Sequence, residues 1–150
     1  LVTLEEFSVF NQSGVRLPVT RAKFAAALEI FCEAHRTSVD LLELVVVDEA
    51  GIVDVNNRFL NRTYVTDIIS FSYNEELDAP VEGTLFVCAQ RVKEQAAEFK
   101  SSQETEFMRV FFHGLLHLKG MNDDTPELKE AMHKAENELL VKLGYAIERR

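Results

Sequence analysis

The chain is poor in cysteine, in long apolar runs, in low-complexity sequence and in positive charge. Its two cysteines, Cys32 and Cys88, lie far apart and form no CxxC pair. That fits two buried, reduced thiols of a cytosolic protein rather than a disulfide framework. Apolar runs extend for only a few residues, far short of the roughly 20 that span a bilayer. No basic, then apolar, then small-residue pattern opens the sequence, so no secretory signal is expected and the protein is placed in the cytoplasm. No repeat and no linker rich in proline, glycine or serine divides it. Residues 1–150 are therefore expected to form one domain around one core. Lysine and arginine number 16 against 25 aspartates and glutamates, a formal net charge of -9. This argues against a nonspecific nucleic-acid coat protein and against a polybasic membrane anchor. It leaves room for a local basic cleft.

What is present is an interleaving of strand and helix patterns. Val2 to Phe10 reads as a strand, followed by a turn at Asn11-Gln12-Ser13-Gly14. Phe24, Ala27, Leu28 and Phe31 recur at helical spacing within Thr20–His35. Leu41 to Val47 is an apolar run of strand length, and Asp48 is placed to cap a helix reaching Leu60. Tyr64 to Tyr73 reads as a third strand, Asn74 to Glu82 as an acidic loop, and Thr84 to Cys88 as a fourth strand running into a helix over Ala89–Phe99. Gln103 to Lys119 is a helix with a core stripe of Phe107, Phe111, Leu115 and Leu118. Thr125-Pro126 opens a last helix, with proline at its favoured first position. Its apolar face is Leu128, Ala131, Met132, Ala135, Leu139 and Leu143, and Gly144 ends it. The expected fold is α+β: a small mixed β-sheet of about four strands packed with about five helices.

Chemistry concentrates in the segment His113-Gly114-Leu115-Leu116-His117-Leu118-Lys119-Gly120. Histidines four residues apart on a helix share one face and can grip one metal ion. Gly120 permits a left-handed turn that stops the helix and brings the following chain back. Asp123 is then in reach as a third ligand. Two imidazoles and one carboxylate, with a position left for water, form a catalytic zinc set. Asp124, just before Thr125-Pro126, competes for that role, but also suits the N-terminus of the last helix. His133 reads as a helix-surface residue that becomes a ligand only if the last helix doubles back closely. Gly114 stands where a zinc metalloprotease of the HExxH type has its glutamate base, which disfavours that chemistry. A glycine there points either to tight packing or to a close approach to the backbone.

These residues resemble a known family, the YbeY-type endoribonucleases, whose pattern is HGxLHLxGxDH. A second stretch, Leu60-Asn61-Arg62-Thr63-Tyr64-Val65-Thr66-Asp67-Ile68-Ile69-Ser70-Phe71, is similar to the family's TDVLSF strand, and Gly83-Thr84-Leu85-Phe86-Val87 to its GDI strand. The likeness runs from about Val39 to Gly144. It implies a metal-dependent, single-strand-specific endoribonuclease in rRNA maturation (3′-end processing of small-subunit rRNA) and ribosome quality control. The small ribosomal subunit or its proteins are the implied partners. Three departures stand out. Asp123 replaces the family's third histidine, which moves the preference toward harder ions. Leu60 stands where the family has an arginine, with Arg58 and Arg62 nearby. Thr84 replaces the GDI aspartate.

The resulting expectation is metal-assisted hydrolysis of an RNA phosphodiester around one Zn2+ or another divalent ion. His113, His117 and Asp123 are the ligands. Arg62 balances phosphate charge, Ser70 lines the groove and Asp124 is the available general base. The competing expectations are a non-catalytic ribosome-assembly module whose metal is structural, and another metallohydrolase.

Overall fold

The computed structural model describes residues 6–147. Residues 2–5 of the expected first strand lie outside that range. The elements follow in the order β1 (Phe7–Asn11), α1 (Arg21–Ala34), β2 (Val39–Val47), α2 (Glu49–Leu60), β3 (Ile68–Ser72), β4 (Val81–Cys88), α3 (Ala89–Glu98), α4 (Gln103–Leu118) and α5 (Pro126–Leu143). The four strands form one mixed sheet in the order β1-β2-β4-β3. β1 and β4 run parallel to β2, and β3 runs antiparallel to β4. The fold is the α+β arrangement read from the sequence.

Alternation along the strands sends side chains to two covered faces. Leu42, Leu44, Val46, Leu85 and Val87 join the main core with α1, α4 and α5. Val47, Cys88 and Ile69 join a smaller cluster with Ile52 and Val55 of α2 on the other face. The helix starts follow local chemistry. Asp48 accepts the Gly51 N–H at 2.7 Å, Thr20 that of Lys23 at 3.2 Å, and Thr125 that of Leu128 at 3.2 Å.

α4 is the central helix. Phe107, Phe111, Leu115 and Leu118 are buried as expected, and so are Met108, Val110, Phe112 and Leu116. A helix buried on nearly every side leaves one narrow stripe open, and that stripe carries His113 and His117. Both are only half-buried.

Three expectations change. The strand expected over Tyr64–Tyr73 begins only at Ile68. Its earlier residues form a loop, because Asn61 ends α2 in the left-handed region (φ 54°) and the Asn56 side chain ties down the Tyr64 carbonyl at 3.0 Å. β4 starts earlier than expected, at Val81, where its N–H bonds the Ser38 carbonyl at 2.8 Å. In α5, Leu128 and Ala131 are exposed rather than packed, since residues 126–131 are exposed throughout and burial begins at Met132. Both cysteines are free; Cys88 is buried and Cys32 is half-buried. Among the described residues no helix is long and apolar enough to cross a membrane.

Candidate metal centre and its groove

α4 stops as its sequence requires. Gly120 adopts φ 92°, and its N–H bonds the His117 carbonyl at 2.9 Å. A Cβ at Gly120 would sit 2.6 Å from the end of the exposed Leu77 side chain, which can move aside, so it is φ that calls for glycine here. Lys119 clamps the same loop, donating to the carbonyls of Leu77 and of Ala79. The chain then reverses into α5 and returns Asp123 to the histidines.

His113 Nε2 and His117 Nε2 are 2.9 Å apart, with rings crossing at 82°. Asp123 Oδ2 is 3.6 Å from His113 Nε2, and its Oδ1 is 3.8 Å from His117 Nε2. A tetrahedral cation with ligand bonds of about 2.0–2.2 Å separates its donors by roughly 3.3–3.6 Å. The two Asp123 separations are measured from different oxygens; one ligand atom from each residue lies within 4.8 Å of the others, so the three side chains could hold one ion. Among the described residues this is the only group of three His, Cys, Asp or Glu side chains converging in this way. Neither Asp124 nor His133 belongs to it, so among the described residues no fourth His, Cys, Asp or Glu joins the three.

The imidazoles are held from behind. Glu136 Oε2 lies 2.7 Å from His113 Nδ1. A proton on Nδ1 facing this carboxylate leaves the Nε2 lone pair aimed at the ion, the tautomer that metal binding needs. Glu136 Oε1 in turn accepts from Arg109 at 3.0 Å, and Arg109 donates to Asn137 at 2.7 Å. Arg109 and Glu136 are both almost fully buried. Removing one partner of such a pair costs about 3–5 kcal/mol, because it strands the other charge.

The metal-free electrostatics are asymmetric. Burial pulls the His113 pKa down, but the hydrogen bond and charge of Glu136, helped by Asp67 and Asp123, outweigh it and leave the value raised. His117 is lowered, first by burial and then by the positive charge on His113. Without a metal, His113 therefore holds an added proton more readily than His117 does. Burial tends to raise the Glu136 pKa, but the bonds and charges of His113 and Arg109 bring it below its ordinary range.

The trio lies where two cavities meet. A groove of about 520 Å³ runs along β3 and the loop after α2, and includes Arg62, Ser70, His113, His117 and Asp123 in its walls. A smaller cavity of about 200 Å³ lies toward α5, between Arg109, Lys129, His133 and Glu136. Asp67, His113 and Asp123 line both. Arg62 is exposed on the groove wall, whereas Arg58 pairs with Asp54 at 3.4 Å and lines neither cavity. Ser70 Oγ donates to the Gly114 carbonyl at 3.4 Å, joining β3 to the motif helix. Asp124 is exposed and lines neither cavity. Thr84 is buried and bonded to Tyr73 at 2.6 Å and to Glu43 at 3.2 Å. At Gly114 packing accounts for the glycine: an added Cβ would meet Ile68 at 2.5 Å and Leu85 at 3.0 Å.

Sequence reasoning missed Glu136 and Asp67. Glu136 had a signal, since it falls on the buried stripe of α5 between Met132 and Leu139. Asp67 had none of that kind. Its side chain is held by one local bond, from the Ile68 N–H at 2.8 Å, and one tertiary bond, from Gln95 Nε2 at 3.2 Å.

Comparison with known proteins bears on this geometry. The sequence model of a family described as Endoribonuclease YbeY matches residues 10–144. A Ureaplasma urealyticum serovar 10 protein named Endoribonuclease YbeY is 33% identical over 145 residues, covering 96% of this chain and 91% of its own. A protein of the same name from Phocaeicola vulgatus is 31% identical over 132 residues, covering 87% of this chain and 94% of its own. The solution structure of TM1509 from Thermotoga maritima is similar with a TM-score of 0.56 at 26% identity, covering 90% of this chain and 91% of that one.

Proposed function

This chain belongs to the endoribonuclease YbeY family, and from that premise we propose that it cuts single-stranded RNA internally, using a zinc ion held by His113, His117 and Asp123. The observation that supports this reading is the convergence of those three donors beside an open groove, with His113 oriented by a buried carboxylate. Two nitrogens and one oxygen suit a borderline cation such as zinc, and three protein ligands leave the position that a catalytic site keeps open. When bound, the ion supplies Lewis-acid activation of water and of a phosphoryl oxygen.

The chain's own residues do the rest. Glu136 keeps His113 in its ligating tautomer, and Arg109 keeps Glu136 ionised and in place. Arg62 balances the negative charge of a phosphate lying in the groove. Ser70 offers a neutral polar wall and couples β3 to α4. Of the two carboxylates open to a base role, Asp67 is better placed than Asp124 to take the proton of the attacking water, because it lines the groove beside His113. Residues 1–150 act as one catalytic domain. The physiological role we assign is maturation of small-subunit rRNA at its 3′ end and ribosome quality control in the cytoplasm, in contact with the small ribosomal subunit. Family membership supports that assignment.

The test is cleavage of single-stranded RNA by the purified protein with and without chelator, repeated for His113→Ala, His117→Ala and Asp123→Ala. The histidine variants are expected to lose stoichiometric zinc by elemental analysis and to lose cleavage, while keeping a folded circular-dichroism spectrum. Cleavage that survives in them, or in chelator, would identify a contaminating nuclease and defeat the proposal.

A further inference from the structure

The groove beside the trio is poorly equipped to hold RNA by charge. Apart from the metal trio, its lining carries one arginine, Arg62, and one carboxylate, Asp67. The chain as a whole carries a formal net charge of -9. Affinity from counterion release grows with the number of phosphates that cations neutralise, and this groove offers very few. Another source of binding energy is needed.

Tyr64 lines the same groove and is 54% exposed. Exposed aromatic rings are common on loops that wander, but this loop is anchored. Asn56 is 1% exposed and spends its amide N–H on the Tyr64 carbonyl at 3.0 Å. The Arg62 N–H bonds the Asn56 carbonyl at 3.2 Å, and Asn61 takes the left-handed turn between them. A buried side chain thus fixes the backbone that carries an open ring. Neutral polar residues, Thr66, Ser70 and Ser72, make up much of the adjoining wall.

We propose that Tyr64 is a stacking platform for an unpaired nucleobase, with Arg62 two residues away taking a neighbouring phosphate. The inference rests on the RNA-cleavage reading above and gives a physical source for its single-strand preference. A base in a duplex has both faces covered; an unpaired base has a face to offer an aromatic ring. Every base has such a face, so the subsite selects strandedness and not sequence.

The probe is a short single-stranded oligonucleotide with 2′-O-methyl sugars and one 2-aminopurine, whose fluorescence stacking quenches. It is titrated with the zinc-loaded protein of residues 1–150, and its integrity is checked on a gel. Wild type and Tyr64→Phe are expected to bind and quench. Tyr64→Ala is expected to lose the quench and to weaken binding by roughly 5- to 150-fold, the range of one lost base–aromatic stack. The wild-type dependence of log K on log salt is expected to be shallow, with a slope near the ~-0.7 of one phosphate contact, and shallower in Arg62→Ala. Circular dichroism verifies that the Tyr64 variants fold. Binding by Tyr64→Ala within twofold of wild type, with the quench intact, overturns the stacking platform while leaving RNA cleavage standing. A wild type that neither binds the probe nor cuts single-stranded RNA overturns both.

Discussion

Replacing Glu136 by glutamine tests the least visible part of the site. The substitution keeps the volume but exchanges two acceptor oxygens for one acceptor and one donor. Glu136 uses both oxygens, one on His113 Nδ1 at 2.7 Å and one on Arg109 at 3.0 Å. Glutamine satisfies only one of them. With its carbonyl toward His113, its NH2 meets the Arg109 guanidinium, donor against donor, where the two side chains are only 6% and 7% exposed. Turned the other way, the NH2 faces His113 Nδ1, and the imidazole proton moves to Nε2, the atom that must hold the metal. Either outcome weakens the ion's grip. Loss of such an outer partner costs 10- to 100-fold in metal affinity, about 1.4–2.7 kcal/mol. The metal-free protein is also destabilised, by about 1–3 kcal/mol for a buried hydrogen-bonding group left unmatched. Zinc affinity, measured by competition with a chromogenic chelator, reads the first effect. Urea unfolding in excess chelator reads the second. Zinc affinity within twofold of wild type would refute the claim that the Glu136 carboxylate strengthens His113 as a ligand, even if stability fell.

Three further outcomes are expected. Asp123→His restores the donor found in the related family pattern and softens the ligand set, so affinity for zinc relative to manganese should rise and RNA cleavage should persist; metal loss equal to that of Asp123→Ala would show that the reversal after Gly120 cannot deliver an imidazole. Gly114→Ala gains about 1 kcal/mol of helix propensity but forces a Cβ to within 2.5 Å of Ile68 and 3.0 Å of Leu85, an overpacking cost of about 1–3 kcal/mol; urea unfolding should show a neutral to about 2 kcal/mol loss, and a stabilised variant would contradict the packing account. The pH dependence of the chelator-treated protein should have two flanks. Glu136 is depressed, so its contribution is complete above 4.5 and is lost as pH falls through its folded value; His113 is raised, so its contribution is complete below 6.5 and is lost as pH rises through its folded value. His117 is lowered and so acts against the His113 flank as pH falls below 6.5; the expected signature is therefore the difference between variants, with Glu136→Gln flattening both flanks of the wild-type melting profile. Zinc affinity should move the opposite way to the His113 term, falling as acid protonates the imidazole that the ion needs.

The metal trio was open to sequence reasoning because its geometry is local. A four-residue spacing and a glycine stop are dictated by helix period and by backbone φ, and neither depends on the rest of the fold. The central helix, the Asp48 cap and the start of the last helix at Thr125-Pro126 were readable for the same reason. The loop at residues 61–67 was not. Tyr64, Val65 and Thr66 carry strand propensity, but a left-handed Asn61 and a buried Asn56 amide hold them off the sheet, and propensity is the weaker term against such tertiary bonds. The network behind His113 shows a different limit. Arg109 and Glu136 lie on separate helices, and charged residues on helices ordinarily face water. The clue is positional: Glu136 follows Met132 by four residues and precedes Leu139 by three, so a carboxylate occupies a core-facing position of α5. An ionised group there is costly unless something in the core needs it. In this chain Arg109 and His113 both do, which makes a charge on an apolar stripe a pointer to a buried polar network that no spacing along the chain reveals.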